Sequence, residues 1–298
     1  MKILITGATG FIGTALIPQL LAQNHQITAL VRNIEKAQQQ LPHVVELINT
    51  LDYFQHFNQF DAVINLAGEP IFDRRWTNKQ KVRLESSRIS LTEKLTQLIN
   101  QSDEPPVCFI SGSATGYYGD CGEQPIDENT SPANNFAAQL CQHWEAAALK
   151  ANTRVCVVRT GLVLARQGGA LAKMLPLYRC GLGGKLGSGQ QYWGWISLTD
   201  MINGILFLLE NSACKGPFNF VAPQVVRNTK FNKILGIILK RPHFATVPAF
   251  LLKFMLGERA CLLLDSQKID STKSSRPWLP IPTPRSRSIF GRRNLISR

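Results

Sequence analysis

The chain has 298 residues, 44% hydrophobic and 18% charged, a globular composition that fits one or two domains and excludes wholesale disorder. No apolar run reaches the length of a membrane span, and we expect neither a spanning helix nor a signal peptide. More than half of the net charge of +13 lies near the C-terminus, so the total says little about the globular part. Seven cysteines without a Cys-x-x-Cys pair fit a reducing compartment, so we expect a soluble, cytoplasmic protein.

Strands and helices alternate through the first 160 residues. Strands are predicted at Lys2–Thr6, Gln26–Val31, His43–Ile48, Asp61–Ala67, Val107–Ser111 and Arg154–Arg159. Helices are predicted at Phe11–Gln23, from about Thr77 to Gln101, and from about Asn134 to Lys150. Thr77 and Gln80 match a capping box at the start of the second of these helices. The alternation predicts an α/β fold with a doubly wound parallel sheet.

The second half of the chain predicts a smaller lobe. Its predicted elements are a Gly-rich loop at Gly181–Gly189, a strand at Phe218–Val221, and helices at Thr199–Leu209, Asn228–Leu239 and Val247–Leu256. We assign residues 1–160 to the sheet domain and 161–267 to this C-terminal lobe, part of which returns to the first domain. Residues 268–298 hold eight basic residues, four prolines and one acidic residue without periodicity, which predicts an irregular tail.

Gly7, Gly10 and Gly13 stand between the first predicted strand and the first predicted helix. Gly7 permits a tight turn, Gly10 lets the backbone approach a diphosphate, and Gly13 lets helix and strand pack closely. Unpaired amides and the positive helix end would hold the anion. The second strand ends without the carboxylate that would accept hydrogen bonds from the ribose 2′-hydroxyl of NAD, whereas Arg32 could pair with the 2′-phosphate of NADP. We therefore predict NADP(H) as the cofactor.

Motifs near the ends of the predicted strands carry a family resemblance. They are the Gly-x-x-Gly-x-x-Gly turn, Asn65–Pro70 (NLAGEP), Arg75–Trp76, Ile110–Asp120 (ISGSATGYYGD), Trp144–Glu145, Arg159–Gly161, Gly181–Gly189 (GLGGKLGSG) and Trp193–Ile196. Over about residues 1–268 the chain resembles an extended short-chain dehydrogenase/reductase, specifically the atypical "epimerase family" subgroup of the NAD-dependent epimerase/dehydratase relatives. The resemblance implies a Rossmann domain that binds the dinucleotide and a smaller C-terminal substrate lobe.

The same resemblance implies roles for individual residues. Those that would line, shape or approach the cofactor are Gly7, Thr9, Gly10, Phe11, Ile12, Gly13, Arg32, Leu66, Ala67, Gly68, Glu69 and Arg74. Ser113 takes the place of the catalytic serine, which forms a hydrogen bond with a substrate hydroxyl or carbonyl.

The proton donor and acceptor that the superfamily requires is missing. A tyrosine, with a lysine one turn later to lower its pKa, should open the helix after the fifth strand. Here those positions are Phe136 and Leu140, neither of which ionises. Substitutes from the sequence are Tyr117, Tyr118, His143 and Glu69, although a packing, surface or binding role accounts for each. We name Tyr117 as the candidate.

Two functions stay open at this point. The first is an NADP(H)-dependent oxidoreductase or epimerase on an unknown small substrate, assisted by Ser113 and an unconventional acid. The second is a non-catalytic NADP(H)-binding sensor or regulator, which could be linked to cell division. No His, Cys and Asp cluster has metal-ligand spacing, so we predict no metal site. We expect neither a specific nucleic acid nor a membrane as a partner, and the oligomeric state is left open.

The tail from residue 268 departs from the family pattern. Relatives usually continue with an acidic and apolar helix-forming segment, whereas this chain runs through Pro277–Pro284 to Arg298. We interpret the switch as a shifted reading frame. The alternative is a basic arm for nucleic acid or anionic lipid.

Overall fold

A computed structural model of the chain describes residues 1–269, so most of the predicted tail lies outside the described residues. In chain order the strands are β1 (Lys2–Thr6), β2 (Gln26–Leu30), β3 (Glu46–Ile48), β4 (Ala62–Asn65), β5 (Cys108–Ala114), β6 (Pro125–Ile126), β7 (Val155–Thr160), β8 (Leu162–Ala165), β9 (Gly184–Leu186), β10 (Tyr192–Trp193), β11 (Trp195–Ser197), β12 (Gly216–Phe220), β13 (Val226–Arg227), β14 (Ala245–Val247) and β15 (Lys268–Ile269). The α-helices are α1 (Gly13–Ala22), α2 (Ile34–Gln38), α3 (Asn78–Glu85), α4 (Leu91–Asn100), α5 (Phe136–Leu149), α6 (Gly169–Arg179), α7 (Leu198–Glu210), α8 (Asn228–Leu239), α9 (Ala249–Leu256) and α10 (Cys261–Leu264).

Seven of these strands form the central sheet, in the order β12-β7-β5-β4-β1-β2-β3. β1 pairs in parallel with β2 and β4, β2 with β3, and β4 with β5. The chain therefore winds outward from β1 in one direction and from β4 in the other. Folds of this kind bind ligands at the carboxyl ends of the strands, where the strand order reverses. The predicted doubly wound parallel sheet is confirmed.

The chain divides into two compact units, and the first contains most of the sheet. It consists of Met1–Tyr117, Gln139–Arg159 and Ile202–Phe218. Every residue of β4 is buried, as expected for a strand of a sheet that is covered on both faces. One core cluster joins strand residues such as Val63 to Leu98 of α4, and the burial of these side chains stabilises the unit through the hydrophobic effect.

The second unit comprises residues 118–138, 160–201 and 219 onward. It is built from helices and two-stranded pairs: β8 with β11, β9 with β14, β6 with β15 and β10 with β13. Its core cluster includes the buried ring of Trp193, whose centroid lies 5.4 Å from that of Phe231 in α8.

Two predicted elements of the first half differ from the structure in ways that bear on the site. The helix predicted from about Thr77 to Gln101 is divided into α3 and α4 by a π-helical turn at Ser86–Ser90. Its predicted start is confirmed, since the Thr77 hydroxyl accepts a hydrogen bond from the Gln80 amide at 3.3 Å. The fifth strand runs on to Ala114 and therefore includes Ser113.

The second half shows larger differences from the predicted pattern. The strand predicted at Phe218–Val221 is β12, which lies beside β7 in the central sheet. Helix α6 was not predicted, because Gly168 and Gly169 at its start and Pro176 within it obscure the helical spacing of its apolar residues. The first two residues of the predicted tail form β15 and pair with β6.

The stability of the second unit should depend on the protonation of Asp265. Burial, together with the nearby Asp120 carboxylate, raises the pKa of Asp265 from 3.8 to about 6, while Lys253 acts in the opposite direction. Because the folded-state pKa exceeds the unfolded one, the protonated group stabilises the fold fully below about pH 4, and this contribution is lost as the pH rises through 6. Asp265→Asn stays neutral, so we expect its thermal unfolding temperature to exceed that of the parent at about pH 8 and to match it near pH 4. An equal gain at both pH values would contradict this assignment.

Candidate functional site

The glycine turn after β1 has the geometry that its spacing predicts. Gly7 has φ +71°, a conformation that favours glycine, and a Cβ there would lie 2.6 Å from the Leu66 carbonyl. The Gly10 amide donates to the Gly7 carbonyl at 2.9 Å. A Cβ at Gly13 would overlap the Gly7 carbonyl oxygen. The turn can therefore form only if both Gly7 and Gly13 lack side chains, and it brings the exits of β1 and β4 into contact.

The N-terminus of α1 fits a bound anion. No side chain caps this ten-residue helix, and its first turn contains no acidic residue. The positive end of its dipole therefore faces the glycine turn, although the Thr14 and Ala15 amides already donate to the Gly10 and Ile12 carbonyls. Thr9 and Gly10 are exposed just before it. A dinucleotide diphosphate matches this combination of a positive helix end and an exposed backbone.

A pair of opposite charges lies at the exits of β2 and β4. Arg32 Nη1 is 3.7 Å from Glu69 Oε2, with Arg32 94% exposed and Glu69 22% exposed. The Glu69 backbone is held by the π-helical turn: its amide donates to Ser87 Oγ at 3.0 Å, and its carbonyl accepts from Arg88 Nη2 at 2.9 Å. Arg74 is exposed in the loop before α3. The structure thus brings Arg32 and Glu69 together and leaves Arg74 at the surface.

Buried side chains join the strand exits through one hydrogen-bonded network. The Thr6 hydroxyl donates to Asn65 Oδ1 at 2.6 Å and accepts from the Ala67 amide at 3.2 Å. Asn65 Nδ2 donates to Thr92 Oγ1 at 2.7 Å, and Trp144 Nε1 donates to the same oxygen at 3.0 Å. Buried polar groups need such partners, so the network fixes β1, β4, α4 and α5 relative to one another.

The centre of the candidate site is a buried chain of three polar side chains. Ser113 Oγ, in β5, donates to Glu145 Oε1, in α5, at 2.6 Å. Arg159, in β7, donates to both carboxylate oxygens of Glu145, at 2.9 and 2.8 Å. The three residues are 4–5% exposed. The guanidinium carbon of Arg159 lies 3.7 Å from the ring centroid of Tyr117, so both predicted catalytic residues belong to one cluster.

This arrangement determines what Ser113 can do. A hydroxyl has one proton and two lone pairs, and the proton is already donated to Glu145. The oxygen can therefore accept a hydrogen bond from another hydroxyl. Because Glu145 and Arg159 neutralise each other, the cluster can receive a neutral hydroxyl without placing an unpaired charge in the interior.

The other predicted substitutes for the missing acid take ordinary positions. Helix α5 begins at Phe136, so Phe136 and the buried Leu140 occupy the expected tyrosine and lysine positions. Tyr118 is buried and donates its hydroxyl to Asn219 Oδ1 at 2.7 Å. His143 is exposed on α5. Packing and surface roles therefore account for Tyr118 and His143.

Three residues of this region were not predicted to have a role. Glu145 and Arg159 belong to the motifs that carry the family resemblance, but no function was predicted for either side chain. Arg88 lies in the π-helical turn, with its guanidinium carbon 5.3 Å from the centroid of a Trp144 ring, and burial lowers its pKa. The available signal was weak: a carboxylate in an alanine-rich helix and an arginine near the end of an apolar strand.

Residues 1–269 lack the side-chain groups and the helices that a metal site or a membrane span would need. No group of three or more His, Cys, Asp and Glu side chains in this range could hold a metal ion. Within it, the helices are too short or too polar to cross a membrane. All seven cysteines, which lie in this range, are free thiols.

Comparison with known proteins gives consistent matches. The profile of the NAD dependent epimerase/dehydratase family matches residues 3–220. The chain is 40% identical over 277 residues to the epimerase family protein SDR39U1 homolog, chloroplastic, of Arabidopsis thaliana, covering 90% of this chain and 80% of the relative. It is 38% identical over 259 residues to an epimerase family protein of Mycobacterium leprae, covering 86% and 83%. The crystal structure of human epimerase family protein SDR39U1 with NADPH superposes with a TM-score of 0.83 at 34% identity, covering 91% of each chain.

Substitution of Gly7 should test the packing of the turn. Gly7 and Gly122 both have positive φ, but a Cβ at Gly122 would meet nothing within 4 Å. Gly122→Ala should therefore lower the free energy of unfolding by only about 1 kcal/mol, the cost of the backbone conformation. Gly7→Ala should lose several times as much in urea unfolding, because the exit of β4 must move. Equal losses would contradict the close approach to Leu66.

The buried ion pair should show strong coupling in a double-mutant cycle. Glu145→Gln leaves the Arg159 charge buried without a carboxylate, which should cost about 3–5 kcal/mol of unfolding free energy. Combining Glu145→Gln with Arg159→Met removes both charges, so the double variant should lose less than the sum of the single losses. Additive losses in guanidinium chloride unfolding would show that the two side chains do not interact.

Proposed function

The chain belongs to the NAD-dependent epimerase/dehydratase family, and from this membership we propose an NADP(H)-dependent oxidoreductase or epimerase that acts on a small substrate bearing a hydroxyl or carbonyl group. The observation that carries the proposal is the buried hydrogen bond from Ser113 to Glu145, near the end of β5. The likeness to a solved relative that contains NADPH supports the choice of cofactor.

The cofactor would be held by the first unit at the carboxyl ends of its strands. The uncapped, positive start of α1 suits the diphosphate, and the exposed guanidinium of Arg32 suits the 2′-phosphate. The carboxylate of Glu69 can accept a hydrogen bond from a ribose hydroxyl, and Leu66–Gly68 would lie alongside the cofactor. When bound, the nicotinamide ring supplies or accepts the hydride.

Ser113 would position the substrate hydroxyl and open a route for its proton. The hydroxyl donates to Ser113 Oγ, whose own proton is already directed at Glu145. A proton leaving the substrate can pass along these two hydrogen bonds to the carboxylate, and the reverse transfer protonates a carbonyl. Arg159 fixes the position of the carboxylate through two N–H groups. No tyrosine–lysine pair is needed for this route.

Tyr117 is the phenol of the same cluster. Its half-buried ring covers the Arg159 guanidinium and so shields the ion pair from water. Water exclusion strengthens the electrostatic interactions within a site. We therefore assign Tyr117 to the catalytic cluster, together with Ser113.

Turnover tests this proposal directly. We expect the purified chain to consume NADPH, followed by absorbance, with at least one class in a broad panel of small carbonyl compounds. Ser113→Ala should still bind NADPH, but its turnover rate should fall by a factor of about 100 or more. The matched control is Ser197→Ala, because Ser197 is also buried and donates to a carboxylate, that of Asp200, at 2.7 Å. NADPH binding without turnover in the parent chain would instead favour the sensor function.

Cofactor preference should depend on Arg32. Arg32→Gln removes the cation that would pair with the 2′-phosphate, so its dissociation constant for NADPH should rise about tenfold or more. Its affinity for NADH, which lacks this phosphate, should hardly change. Arg83→Gln, in α3, is the control for loss of an exposed arginine. Equal weakening of both coenzymes in calorimetric titrations would contradict the assignment of Arg32.

A further inference from the structure

Helix α9 of the second unit has apolar residues on two opposite faces. Successive residues of a helix are about 100° apart, so Phe250, Leu251, Phe254 and Met255 share one arc of about 140°. Leu252 lies outside this arc and is buried. The arc itself faces solvent: Phe250 is 75% exposed, Phe254 80% and Met255 60%. Soluble proteins rarely leave such a continuous apolar surface uncovered.

Several residues on α9 and in the segment that leads to it are basic. Lys253 lies about 60° from Phe250 on the other side of α9 and is exposed. Lys240, Arg241 and Phe244 are exposed in the segment that leads to β14 and α9, with Phe244 86% exposed. Residues 219–257, all in the second unit, contain six Lys and Arg and no Asp or Glu, although the exposed Glu258 follows directly and Lys253 lowers the pKa of the nearby Asp265.

We propose that the exposed arc of α9, with Phe244, is a peripheral docking surface for an anionic lipid bilayer. Aromatic and aliphatic side chains enter the interfacial layer, while neighbouring Lys and Arg side chains attract anionic headgroups. With eight residues α9 cannot span a bilayer, so it would lie in the plane of the surface. Such docking would contradict our expectation of no membrane partner, but it would not require a spanning helix.

Charge and size favour a bilayer over a second copy of the chain. Two copies of this surface would bring the Lys253 side chains of the two α9 helices towards each other, and like charges repel. A helix of eight residues is only about 12 Å long, so its face is small beside a standard protein interface. An anionic bilayer provides both negative charge and an apolar layer, and binding to it needs no shape complementarity.

Vesicle co-sedimentation of the full-length chain tests the proposal. We expect binding to phosphatidylcholine vesicles that contain roughly one-third phosphatidylglycerol, and at least tenfold weaker binding to phosphatidylcholine alone. Phe250→Ser combined with Phe254→Ser should weaken binding at least tenfold. The control, Tyr53→Ser combined with Val82→Ser, also removes two exposed apolar side chains and should bind like the parent.

A charge-reversed pair keeps the test independent of the phenylalanines. Lys240→Glu combined with Arg241→Glu should weaken binding to anionic vesicles, whereas Lys79→Glu combined with Arg83→Glu, on exposed positions of α3, should weaken it less. Basic residues 270–298 are common to all variants, so the differences report on this surface.

Three outcomes would overturn the proposal. The first is no binding to anionic vesicles, and the second is equal binding of the α9 variants and their controls. The third is a dimer of the parent chain that the Phe250 and Phe254 substitutions convert to monomer, which would identify a self-association surface.

Discussion

Two opposite charges, buried together, fix the centre of the candidate site. Glu145 and Arg159 are almost inaccessible to water, and an unpaired charge there would carry a large desolvation cost. Because these residues belong to α5 and β7, their contact ties the helix to the sheet near the carboxyl end of that strand. Ser113, on the neighbouring strand β5, donates to the same carboxylate, so its hydroxyl oxygen is held in one place. A group positioned by a strand and a buried ion pair needs no further ordering for the role proposed for it.

The indole of Trp144 connects this centre to the cofactor side of the site. A Cβ at Gly112 would lie 3.0 Å from the indole, so the ring packs directly on the strand residue before Ser113. On the other side, the indole nitrogen donates to Thr92, which is also bonded to Asn65. The nearby π-helical turn positions Glu69 through its backbone. Such turns often occur at functional sites, and here the turn shapes the loop after β4.

The sequence predicted the features that are encoded within a few neighbouring residues. The spacing from Gly7 onward specified a turn between strand and helix, and Phe136 at the start of a helix revealed the missing phenol. Glu145 and Arg159 contact each other across 14 residues and two elements, so only the folded chain shows that they pair. The π-helical turn leaves the apolar periodicity of its helix almost unchanged, and Pro176 disguises α6. Long-range pairing and small irregularities were therefore the parts that local patterns could not predict.

A crystal structure of the chain with NADPH would decide whether the Ser113, Glu145 and Arg159 cluster faces the nicotinamide ring. We expect the diphosphate on the amides that follow Gly10, and the reactive carbon of the nicotinamide ring close to Ser113 Oγ. In that complex Glu145 should still accept hydrogen bonds from Ser113 and Arg159. A ring bound elsewhere, or a Ser113 hydroxyl turned away from Glu145, would contradict the role assigned to this cluster.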